Sequence, residues 1–153
     1  MLAGLACGTP AAAESSYSEL TSADFVLVSA AGERRTRNIA AKAAMFRTAM
    51  ESVFGLRVNL ATPTRIYALS AVDWERYAQL RPDVAGYFVP HAFASDLLFD
   101  AETDNPRALE LMLHEYTHHV LRTLGTRRYP AVFDEGLAEV FSTAAFSEGV
   151  VRF

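Results

Sequence analysis

His114-Glu115-Tyr116-Thr117-His118 stands inside a run whose apolar residues recur at helical spacing, and no other feature constrains the chain as strongly. Asn105-Pro106 supplies a helix start, with Asn as the N-cap and Pro at the first helical position. Leu109, Leu113, Tyr116, Val120 and Leu124 then mark one face up to a stop at Gly125. At about 100° per residue, His118 lies within roughly 40° of His114 and one turn further on, so both imidazoles can reach one ion. Glu115 lies about 100° round from His114, placed to address water on such an ion without joining its ligands.

A second helix is expected after Pro130, through Phe133, Leu137, Val140 and Phe141. Its segment Asp134-Glu135-Gly136-Leu137-Ala138-Glu139 puts two carboxylates four residues apart on one face. Catalytic zinc takes three protein ligands and keeps one open position, and His, His, Glu is one of its standard sets. Glu135 can complete that set with His114 and His118. Glu139, one turn on, is then placed to accept the outward N–H of a ligand histidine, His114 in this reading. Gly136 is expected to relieve a close approach between the two helices.

Upstream, strands and helices mix. Phe25 to Val28 reads as a strand. Ile39, Ala43, Phe46, Met50 and Val53 mark an amphipathic helix that Gly55 can end. Arg65 to Leu69 is a second strand, and a short helix spans about Val72 to Leu80, stopped before Pro82. Gly86 to Val89 and Asp96 to Phe99 are further strands around a turn near Pro90-His91. With two helices last, the class is α+β.

The 153 residues are 51% hydrophobic and 21% charged, which excludes a disordered polymer and a collagen-like repeat. Fourteen basic residues, scattered among eighteen acidic ones, leave a formal charge of −4 and argue against a nucleic-acid partner. Residues 1–13 are apolar, too short to span a bilayer, and end in Ala11-Ala12-Ala13 after Pro10, like the tail of an export signal. An exported, periplasmic or extracellular location is the expectation. Cys7 after Leu5-Ala6 offers a lipidation site, with a plain N-terminal tail as the alternative. Residues 14–23 are expected to be a flexible segment.

The pair H-E-Y-T-H and D-E-G-L-A-E resembles the gluzincins, the thermolysin-like zinc metallopeptidases, and most closely their peptidase MA-like branch. The likeness covers about Arg107 to Phe141 tightly. It implies a zincin-like fold: a small mixed sheet packed on helices, with the HExxH helix followed by a ligand-bearing one. It implies Zn2+ on His114, His118 and Glu135, with Glu139 supporting His114. Glu115 would be the general base, and then the acid, of peptide hydrolysis through a metal-activated water. Such enzymes generally add a C-terminal helical subdomain that walls the cleft and supplies an oxyanion donor. Residues 24–153 are therefore expected to be the metallopeptidase domain without that subdomain.

A peptide or protein substrate is expected to lie extended along an edge strand, for which Asp96 to Phe99 is the candidate. Tyr129 and His91 are possible oxyanion or cleft residues, with a pre-proline residue and a turn residue as the alternatives. His119 points about 100° from His118 and reads as surface or packing. Two other classes compete with the peptidase: a catalytically inactive relative that binds zinc or a partner, and a metal-free interaction module.

Overall fold

The computed structural model describes residues 16–55, 57, 64–79, 86–91, 95–101, 106–123 and 130–153, apart from the side chains of residues 78, 106 and 123. The expected export leader, Cys7, the Asn105 cap, Leu124, Gly125 and Tyr129 lie outside the described residues. Among the described residues the architecture is a five-stranded mixed sheet, a two-stranded hairpin and four helices, compatible with α+β.

Alternation builds the sheet. In β2 (Phe25–Ser29), Phe25, Leu27 and Ser29 are buried; in β3 (Thr64–Leu69), Thr64, Ile66 and Ala68; in β5 (Ser95–Asp100), Ser95, Leu97 and Phe99. A period of two sends these residues to one face, where they form the core with α1 (Glu33–Phe54) and α3 (Pro106–Thr123). The strand order is β1-β2-β3-β5-β4. The central three run parallel, while β1 (Ser18–Thr21) and β4 (Gly86–Pro90) pair antiparallel at the two edges.

Two expectations change here. Part of the polar run read as a flexible segment is strand β1, whose Leu20 packs against the core. Asp96 to Phe99 is interior: β5 pairs with β3 on one side and β4 on the other, so the edge beside it is β4. Strand order depends on which helix crosses which face, and local periodicity does not carry it.

In α1, Ile39, Ala43, Phe46 and Met50 are buried as spaced, but Val53 near the end is 56% exposed. Gly55 closes α1 in the left-handed region (φ 64°), where its missing Cβ removes the steric cost. The shorter α2 (Ala71–Ala78) is capped by Ser70, whose side chain accepts from the Asp73 N–H. Helix α4 (Ala131–Ser142) packs along α3 and buries Ala138 and Phe141; Phe133 and Val140, which mark the same helical pattern, are 61% and 55% exposed. The chain then turns back as a hairpin, β6 (Ala145–Ser147) and β7 (Val150–Arg152), to which the sequence pattern assigns no element. Its two-residue turn, Glu148 and Gly149, has positive φ at both positions. No helix among the described residues is long and apolar enough to cross a membrane.

Candidate metal centre

Helix α3 is sunk into the domain by Leu113, Tyr116 and Val120, which are fully buried in the core. That anchoring turns His114 and His118 towards α4. Their rings lie edge to face with centroids 4.9 Å apart, and the two Nε2 atoms are 3.2 Å apart. From α4, Glu135 places Oε2 3.4 Å from His114 Nε2 and 3.6 Å from His118 Nε2. These atoms form a near-equilateral triangle, and the three residues are the group among the described residues able to hold a metal ion.

The triangle can be tested for size. Tetrahedral zinc with ligands at about 2.05 Å has donor–donor edges of about 3.3 Å. Observed edges of 3.2, 3.4 and 3.6 Å fit that face with little adjustment. The donor set is also the one zinc takes in hydrolytic sites.

Behind each histidine stands a carboxylate. Glu139 Oε2 is 3.6 Å from His114 Nδ1, on the side the four-residue spacing predicted. Asp134 Oδ2 is 3.5 Å from His118 Nδ1, a buried nitrogen with no hydrogen-bond partner among the described residues. Sequence reasoning paired Glu135 with Glu139 and missed Asp134. The available signal was a third acid directly before Glu135.

Glu115 is half-buried beside β4: a Cβ built on Gly86 would meet Glu115 Cγ at 3.7 Å and Leu111 Cβ at 3.7 Å. Burial pushes the Glu115 carboxyl above its ordinary value; His114 pulls it down and Glu135 pushes it up further. A carboxyl raised in this way holds a proton more readily than a free one, as a proton acceptor should.

His119 is buried, so of its two readings packing is the one seen. Its Nε2 shares a 2.6 Å hydrogen bond with Thr64 Oγ1 at the start of β3, and its ring stacks on Tyr116 with centroids 5.8 Å apart. Burial, helped by the Arg47 charge, lowers its pKa to about 4. The buried Tyr116 phenol is pushed up to about 12, again chiefly by burial.

His91 lies elsewhere. It follows the far end of β4, five residues from Gly86 and so about 16 Å along the strand from the level of Glu115. There its Nε2 is 2.8 Å from Asp96 Oδ2. Gly136 also departs from expectation: it is exposed, and a Cβ there meets no described atom within 4 Å, so helix approach does not require it.

Comparisons with protein-family models, with curated proteins and with solved structures find no match.

Proposed function

We propose that this chain is a zinc-dependent metallopeptidase with a gluzincin-type, zincin-like site, hydrolysing peptide bonds in extended substrates. The observation that carries the reading is the donor triangle of His114, His118 and Glu135 with the Glu115 carboxyl alongside it. Zinc held by His114, His118 and Glu135 would supply Lewis acidity, making water more acidic and polarising a carbonyl. Glu115 accepts the proton of the attacking water and then delivers it to the leaving amine. Glu139 and Asp134 hold the two imidazoles from behind, fixing which ring nitrogen faces the site.

The substrate backbone pairs with β4, which has no partner strand on its outer side among the described residues. Gly86 suits this role because it keeps the strand close to Glu115.

The test is cleavage of an unstructured protein by the zinc-loaded chain. Activity should be lost to a chelator, return with Zn2+, and vanish in Glu115→Gln while one equivalent of zinc is still bound. Retained cleavage by Glu115→Gln overturns the reading. An inactive zinc-binding relative is the second reading, favoured by the 65% exposure of the Glu135 side chain. It predicts stoichiometric zinc and no cleavage.

A further inference from the structure

Three aromatic rings gather on the sheet face opposite α3. Gly86 and Phe88 face α3: Gly86 lies against Leu111 and Glu115, and Phe88 against His119, with centroids 6.0 Å apart. Alternation therefore sends Tyr87, between them, to the other face. There it meets two rings from α2, Tyr77 at 5.0 Å and Trp74 at 6.0 Å between centroids, and those two lie 6.4 Å from each other. All three residues are half-buried, unlike the closed core on the α3 side. Helix α2 is held over the sheet by polar contacts at its start: Ser70 Oγ donates to Asp73 Oδ2 at 2.8 Å, and Tyr17 OH donates to the same oxygen at 2.6 Å.

A strand added to the outer side of β4, where no partner strand stands among the described residues, repeats its alternation. The added residue level with Gly86 lies at the height of Glu115, where the bond is cut. Its neighbour, level with Tyr87, points to the aromatic face, its Cβ about 5 Å from that of Tyr87. We infer that Trp74, Tyr77 and Tyr87 form a specificity wall of the proposed peptidase, selecting a large apolar or aromatic side chain next to the cleaved bond. This rests on the peptidase reading. Ring edges and faces reward such a side chain beyond simple burial, whereas a charged one would lose its water against them.

Trp74 is the single tryptophan of the chain, so its emission reports on the wall directly. The probes are two fluorogenic decapeptides, identical except that Phe flanks the cleaved bond on both sides in one and Ala in the other. The zinc-loaded chain should cut the Phe peptide with kcat/KM about tenfold or more above the Ala peptide. Tyr87→Thr, which keeps a β-branched residue in the strand, and Tyr77→Leu should each bring that ratio towards one. The Phe peptide should also quench Trp74 emission saturably, and the Ala peptide should not. Cleavage without preference, or a preference that survives both variants, overturns the wall and leaves the peptidase standing. A saturable response of Trp74 to the Phe peptide without cleavage keeps the wall and overturns the peptidase. Neither cleavage nor an emission response overturns both.

Discussion

Asp134 Oδ2 approaches His118 Nδ1 at 3.5 Å, mirroring the 3.6 Å approach of Glu139 Oε2 to His114 Nδ1. Both candidate ligand histidines are thus backed by an acid from α4, the helix that also brings Glu135. Asp134 is the better placed of the two, because its side chain is only 26% exposed and the nitrogen it faces is buried. Its field is screened less by water than that of Glu139.

Removing that carboxylate should weaken metal binding without removing a ligand. Asp134→Ala is expected to lower zinc affinity by about 10- to 100-fold, with Asp134→Asn recovering part of the loss. Glu139→Ala should cost less, given its exposure. Competition with a chromophoric chelator measures all three, and an unchanged affinity in Asp134→Ala would remove the residue from the site.

The lowered pKa of His119 makes stability depend on pH in a definite direction. Unfolded, this imidazole titrates near 6.5; folded, near 4. Between those values the unfolded chain binds a proton that the folded chain refuses. The group's contribution is therefore complete above about pH 6.5 and is lost as pH falls towards 4, by roughly 3 kcal/mol in all. Urea unfolding of the zinc-free protein from pH 7 to 4.5 should show a shallower loss in His119→Leu than in the wild type. Equal slopes would contradict the assignment.

Gly136 sits in the middle of α4 at a helical cost of about 0.5–1 kcal/mol relative to Ala, and no described atom claims the space a methyl would fill. Gly136→Ala should stabilise the protein by that amount, read as a rise in the urea midpoint at constant m-value. A destabilised variant would show that the helix needs the glycine for a contact outside the described residues.

The meeting of His114, His118 and Glu135 was the most legible part of the candidate site. His114 and His118 are four apart on a strongly periodic helix, and helical geometry alone forces their imidazoles together. Glu135 was legible through zinc's ligand preferences, and Glu139 through its spacing from Glu135. Strand order was not legible, because Asp96 to Phe99 and Gly86 to Val89 look alike as short apolar runs and only pairing shows which one is outermost. The exposure of Phe133 and Val140 was hidden for a related reason: α4 is apolar on more of its circumference than its neighbours cover. The C-terminal hairpin strands have three residues each, too short for a period to register, although Glu148-Gly149 marked the turn.

Helix α4 is fastened at the end away from Glu135 by aromatic rings. Phe141 meets Phe54 of α1 at 5.8 Å and Phe153 at 4.7 Å, and Phe153 reaches Phe46 at 6.0 Å. These contacts involve no ion, so they persist whether or not one is bound. The placement of α4 is consequently set without an ion, and ion capture spends free energy on ordering the exposed Glu135 side chain but little on the backbone. Stripping and reloading should then be a reversible exchange on a standing scaffold rather than an unfolding and refolding cycle.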